Sequence, residues 1–301
     1  MKIVLLILVI LFLIDLYIAE ECLRRITRPK RYTEEEMRES EIANGFSAAI
    51  EAYEKKWERE AFEFKSEDVV LSGEFIDNPD GKKDKVVIIA HGHTVNRYAS
   101  IKYADMFYRL GYNVVLYDER YHGRSTGKRC TLGQKEAIDL SNVIRFVKER
   151  FGENCSIGLH GESMGAATSL LVLRYEKPVF VIADCPFCDS ERLFNEFVVN
   201  NLHIPPILVI PLVKVLGRLQ YDYRIKDVSP IEAVRNSDVP ICFMHGDSDK
   251  LIDCNHSRQM YKVSENPKSE IHLFEGADHA CSVVLYPERY EQLLQDFLRF
   301  L

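Results

Sequence analysis

The chain has 301 residues, 47% of them hydrophobic and 28% charged, with 39 Lys and Arg against 46 Asp and Glu and a formal net charge of −7. That length suits one large domain or two small ones with a sizeable core, and the composition is that of an ordinary globular protein. The acidic balance shows no basic face of the kind nucleic-acid binding requires, and eight cysteines scattered through so long a chain are not a disulfide framework, so reduced thiols and no nucleic-acid partner are expected.

Residues Ile3 to Ala19 are apolar except for Asp15. As a helix they span about 25 Å, short but workable against roughly 30 Å of hydrocarbon. Tyr17, Ile18, Glu20 and Glu21 surround Ala19, so the small residues that a signal-peptide cut needs are missing and an uncleaved anchor is expected. Only Lys2 precedes the span, whereas Arg24, Arg25, Arg28, Lys30 and Arg31 follow it, which places the bulk of the chain on the cytoplasmic side. Residues 1–31 thus read as a membrane anchor with a basic flank. A buried core helix, or an exported protein with an atypical signal, is the alternative.

From Tyr32 to Lys65 the chain is charge-dense, with Phe46, Ile50, Tyr53 and Trp57 on one helical stripe, so 32–65 reads as a connecting helix packed on the domain behind the anchor. Asp68 to Asp77 alternates as a strand and Asn78-Pro79-Asp80-Gly81 is a turn by its chemistry, implying a hairpin-like start to a domain over 66–301. Buried strands follow at 85–90, 112–117, 155–159, 178–183, 239–245 and 270–274. Helical segments lie at 98–110, 134–151, 164–175, 230–236, 256–263 and 287–300. This alternation predicts a mostly parallel sheet with helices on both faces. It breaks once, at about 189–228, where the proline-rich run Ile204 to Val213 suits neither a regular strand nor a simple connection, so an inserted cap is expected there.

The sharpest feature is Gly161-Glu162-Ser163-Met164-Gly165, which follows an apolar strand and precedes a small-residue helix. Glycines flank the serine because the turn is too sharp for side chains at those positions, and Ser163 at a helix N-terminus lies where open N–H groups favour an oxyanion. A serine hydroxyl needs a base, and the base needs a carboxylate to fix its tautomer. Downstream, Gly246-Asp247-Ser248-Asp249-Lys250-Leu251-Ile252-Asp253 and Gly276-Ala277-Asp278-His279 each follow a strand, at the edge where ligands bind in such sheets. The order is serine, aspartate, histidine.

With these motifs the sequence resembles a serine hydrolase of the α/β-hydrolase superfamily, of the kind found as single-domain bacterial esterase-like members with a short cap. The resemblance covers Phe62 to Leu301 and includes His91-Gly92-His93-Thr94 and Asp118-Glu119-Arg120-Tyr121-His122-Gly123-Arg124-Ser125. It implies the α/β-hydrolase fold, with Ser163 as nucleophile, His279 as base and Asp249 as acid. Asp247 and Asp253 are the alternative acids. It also implies an oxyanion hole made by the backbone N–H groups of His93 and Met164. Tyr121 stands where that family often has glycine, which would narrow one wall of the site.

His91 and His122 are expected to hold turns, and His160 to satisfy nearby backbone. Cys185-Pro-Phe-Cys188 has no second C-x-x-C and reads as structural spacing. Neither a metal-ligand spacing nor a phosphate-binding glycine loop is present, so no cofactor and no metal are expected. The expected activity is hydrolysis of a carboxylic ester through an acyl-enzyme, on a small acyl-ester or lipid-like substrate, by a membrane-tethered enzyme. Thioester or peptide-bond cleavage on the same residues, or a non-catalytic tethered binding protein, are the alternatives.

Overall fold

The computed structural model describes residues Met1 to Leu301. Three helices open the chain, α1 (Lys2–Thr27), α2 (Glu34–Ala43) and α3 (Ser47–Lys55), and an antiparallel hairpin follows, β1 (Glu58–Ser66) and β2 (Val69–Asp77). Strands and helices then alternate through β3 (Lys85–Ala90), α4 (Ile101–Arg109), β4 (Asn113–Tyr117), α5 (Glu136–Phe151), β5 (Ser156–Glu162), α6 (Met164–Leu171) and β6 (Phe180–Asp184). After β6 come α7 (Ser190–Phe197), α8 (Pro206–Gln220) and α9 (Pro230–Arg235). The chain closes with β7 (Ile241–Gly246), α10 (Asn255–Val263), β8 (Glu270–Phe274), α11 (Ser282–Leu285) and α12 (Pro287–Arg299).

All eight strands form one sheet, in the order β1-β2-β4-β3-β5-β6-β7-β8. The pairs β1 with β2 and β2 with β4 are antiparallel, and every later pair is parallel. Side chains alternate along β3 between two buried clusters. Val86, Ile88 and Ala90 join α5 and α6 through Leu140, Val143 and Leu170 on one face, while Val87 and Ile89 join α4 and α12 through Phe107, Leu294 and Phe297 on the other. This is the α/β-hydrolase architecture, and its near-continuous apolar strands follow from burial on both faces. The chain runs from β3 to β4 on one side and returns past β3 to β5, so the sheet's switch point lies between β3 and β5.

The structure departs from the sequence expectation in the segment 32–65 and at the boundary at residue 31. The segment 32–65 is not one helix but α2, α3 and the edge strand β1. Asn44 and Gly45, the latter at φ +96°, stop the first helix, and the capping box of Thr33 and Glu36 starts it. The hairpin turn therefore falls at Glu67, and Asn78 to Gly81 instead joins β2 to β3. The stripe Ile50 and Tyr53 is buried as expected.

The cap region 189–228 is helical. Pro206 occupies the first turn of α8, where its missing N–H costs nothing, and Pro211 lies inside the same helix, so the proline-rich run forms a helix within the expected cap. The boundary at residue 31 also does not separate an anchor from a domain. Lys2 to Ile14 of α1 are exposed throughout, but Ala19, Cys22, Leu23 and Thr27 are buried, the first three in one cluster with Val209, Ile210 and Val213 of α8. Tyr221 at the end of α8 donates its hydroxyl to Glu20, and the Thr27 carbonyl accepts the Cys130 N–H at 2.8 Å. The second half of the would-be anchor is a structural part of the domain.

Candidate active site

At the end of β5 the chain turns so sharply that Ser163 adopts φ +55° and ψ −113°, a region few non-glycine residues visit, before α6 begins. The turn is held from both sides. A Cβ on Gly161 would collide with the Gly165 carbonyl, one on Gly165 would collide with the Ala90 carbonyl at the end of β3, and the Ser163 N–H donates to the Asp184 carbonyl at 2.8 Å. Close packing of β3, β5 and α6 therefore needs both glycines, and the result is a serine side chain standing above the switch point.

Ser163, His279 and Asp249 come together from three separate loops. His279 Nε2 lies 2.9 Å from Ser163 Oγ, and His279 Nδ1 lies 2.7 Å from Asp249 Oδ2. The other carboxylate oxygen, Asp249 Oδ1, accepts the N–H groups of Leu251 and Ile252, each at 2.8 Å. His245 Nε2 lies 3.2 Å from Asp249 Oδ2 and 2.8 Å from the Ile252 carbonyl. Asp249 is thus fixed on all sides while facing the imidazole.

The alternative acids do other work. Asp247 accepts the Gly276 N–H at 2.7 Å, Asp253 accepts the Asn255 N–H at 2.7 Å ahead of α10, and neither is bonded to His279. Asp278 accepts the N–H groups of His279 and Lys250 at 2.8 and 3.0 Å, tying the histidine loop to the aspartate loop.

Burial alone would raise the Asp249 pKa, but hydrogen bonds from His245 and His279 and the Leu251 and Ile252 amides outweigh it and hold the carboxyl well below its usual range. Burial also works against the charged form of His279, and there the hydrogen bond and charge of Asp249 win, raising the imidazole above its ordinary value. A base with a raised pKa is protonated over a wider acidic range. Any reaction that uses neutral His279 should therefore lose kcat/KM tenfold per pH unit on its acid limb, with an apparent pKa above about 6.5. A pH–rate profile checks this, and a midpoint below 6.5 would contradict it.

The backbone N–H groups of His93, after β3, and Met164, the first residue of α6, donate to no other protein group. They flank the switch point from its two sides. The His93 ring is held by the Ile26 carbonyl, 2.8 Å from Nε2. His91 Nδ1 donates to the Gly92 carbonyl at 2.8 Å while its Nε2 accepts the Glu119 N–H, and His122 Nδ1 donates to the Arg120 carbonyl, so both rings brace turns. His160 pairs with the Tyr290 hydroxyl in the core. Tyr121 lies at φ +69°, which explains a glycine preference there, but its ring faces Arg31 and does not narrow the pocket as expected.

Behind the serine lies a buried polar group that no sequence spacing announces. Glu162 accepts from the Tyr103 hydroxyl at 2.7 Å and pairs with Lys102 at 3.2 Å, while Lys102 also reaches Glu41 and Tyr103 also reaches Asp184 at 3.0 Å. Burial, reinforced by the Glu162 charge, lifts the Asp184 carboxyl to about 7. These residues come from α2, α4, β5 and β6, so only the fold assembles them.

Ser163 opens into a cavity of about 240 Å³ whose other walls are almost wholly apolar. Met164, Phe187 and Ile252 are among its buried walls. Leu193, Phe194 and Phe197 of α7, within the expected cap, and Cys22, Arg25 and Ile26 of α1 make up the roof, while Ile204 to Val213 of the same cap is not part of the lining. All eight cysteines are free thiols. Ligand atoms of Cys185, Asp249 and His279 lie within 4.8 Å of one another, but Asp249 and His279 are already committed to each other by their hydrogen bond.

The profile of the serine aminopeptidase S33 family matches residues 81–238, and that of the dienelactone hydrolase family matches residues 219–292. The uncharacterized protein YqkD of Bacillus subtilis is 34% identical over 216 residues, 70% of each chain. Among solved structures, an esterase from Pyrococcus furiosus superimposes with a TM-score of 0.68 at 27% identity, covering 82% of this chain and 93% of its own. An acylaminoacyl peptidase from Pyrococcus horikoshii shares the fold at a TM-score of 0.61 and 17% identity, over 82% of this chain and 41% of its own.

Proposed function

The chain belongs to the serine aminopeptidase S33 family of α/β hydrolases, and from that premise we propose that it is a serine hydrolase cleaving carboxylic esters through an acyl-enzyme. Ser163 Oγ attacks the ester carbonyl as His279 Nε2 takes its proton. Asp249 keeps the proton of the imidazole on Nδ1 and stabilises the imidazolium that forms. The N–H groups of Met164 and His93 receive the oxyanion, each worth a few kcal/mol at the transition state. His279 returns its proton to the departing alkoxide, and water then attacks the acyl-enzyme by the same route to release the acid and regenerate Ser163.

The observation that carries this reading is the unbroken hydrogen-bond chain from Ser163 to His279 to Asp249 at the mouth of an apolar pocket. The pocket's make-up favours an ester over an aminopeptidase substrate. Recognition of a free peptide N-terminus calls for a carboxylate to pair with the ammonium group, and Arg25 is the one fully charged side chain on these walls. The likeness to an esterase at 27% identity points the same way. A fluorophosphonate label followed by a panel of p-nitrophenyl esters, acyl thioesters and amino-acid anilides tests the proposal, with ester turnover expected to exceed the rest. Faster anilide turnover would replace the esterase reading with a peptidase.

The helix α1 is the uncleaved anchor, with the domain on the cytoplasmic side. Its apolar first half is exposed, basic residues follow, and cleavage near Ala19 would cut into a buried segment. Protease protection of the domain in intact cells is the expected result, and digestion there would reverse the orientation.

A further inference from the structure

The exposed and the pocket-lining parts of α1 belong to one helix without a break. At 1.5 Å per residue, Cys22 stands only about 12 Å along the axis beyond Ile14, where the exposed apolar run ends. The pocket over Ser163 is therefore held within two or three helical turns of the end of that exposed apolar run, by a rigid element rather than a linker. Thr27 and Ile26 are pinned to the domain through Cys130 and His93, so the height cannot vary freely. Beside α1, where Tyr221 meets Glu20, the end of α8 leaves Leu219 three-quarters exposed, a second uncovered apolar group.

Taking these together, we propose that the pocket is loaded from the bilayer that holds α1, and that its substrate is a single-chain ester amphiphile dissolved in that bilayer. The chain enters along α1 and lies between Cys22 and Ile26 on one side and Phe194 and Phe197 of α7 on the other. Cavity size sets the class. A volume of about 240 Å³ with an almost wholly apolar lining suits one acyl chain. Cys22 and Ile26 are then specificity-determining residues, and the anchor itself is part of the substrate site. This inference rests on the ester-hydrolase reading above.

The test uses the full-length protein reconstituted in phosphatidylcholine vesicles, with monododecanoylglycerol as substrate and p-nitrophenyl acetate as a water-soluble control. At fixed bulk substrate, a tenfold addition of phosphatidylcholine to the same vesicles should lower the rate about tenfold, because the rate follows the mole fraction in the membrane. Substrate supplied in separate vesicles should be turned over more slowly. Independently, Ile26→Trp should lower the ratio of kcat/KM for octanoate to that for acetate at least about tenfold by filling the chain path. A rate that tracks bulk concentration and ignores surface dilution, with acetate hydrolysis intact, overturns the loading route alone. An unchanged chain-length ratio removes α1 from the pocket wall. Absence of acetate hydrolysis overturns the ester-hydrolase reading and this inference with it.

Discussion

Ser163→Ala should lower kcat for ester hydrolysis by at least about 10⁴-fold and abolish labelling by fluorophosphonate, because the hydroxyl is the only group at this position able to form the covalent intermediate. The substitution isolates chemistry from folding. Alanine has the same Cβ as serine, so the strain at φ +55° is unchanged, and the Ser163 side chain's one partner is the His279 imidazole. Circular dichroism and thermal unfolding should match the parent protein. Residual labelling in a folded Ser163→Ala protein would mean that another nucleophile reacts and that the assignment is wrong.

Asp249→Asn should cost about 10⁴-fold in kcat, by a route the hydrogen bonds specify. Oδ1 is held by the N–H groups of Leu251 and Ile252, so an asparagine keeps its carbonyl there and turns its NH₂ toward His279 and His245. An NH₂ donor facing His279 Nδ1 forces the proton onto Nε2. That nitrogen then donates toward Ser163 and can no longer accept its proton. Asp247→Asn and Asp253→Asn should each lose less than about tenfold, since those carboxylates brace backbone amides away from His279. If Asp247→Asn proved the more damaging change, the acid would have been assigned to the wrong residue.

What could be read from the sequence follows from how local the cause was. The strands at 85–90 and 270–274 match their expected limits, because an apolar run bounded by turn residues carries its own boundary signal. The serine turn was equally legible, since two close approaches, Gly161 to Gly165 and Gly165 to Ala90, leave glycine as the only fit. Strand β1 was hidden because Glu58 to Ser66 is an edge strand with an exposed, charged face, and such a face looks like a solvated helix. The roof of the pocket was hidden for a different reason. Nothing within residues 19–27 signals that they will meet residues 190–197; that contact exists only once the sheet has set the distance between them. The same holds for Glu41 and Glu162, brought to Lys102 from α2 and β5.

The partnership of α1 with the cap also fixes an order of events during synthesis. Residues 1–27 leave the ribosome first, yet the surfaces that bury Ala19, Cys22 and Leu23 belong to α8, nearly two hundred residues later in the chain. Domains form as their chain emerges, and a contact of this separation closes late. A nascent chain caught before residue 220 would have one apolar side of its first helix uncovered. The full chain covers that side when α8 docks, while the pocket walls contributed by Leu251 and Ile252 are synthesised only after it, so the covering of α1 precedes completion of the pocket.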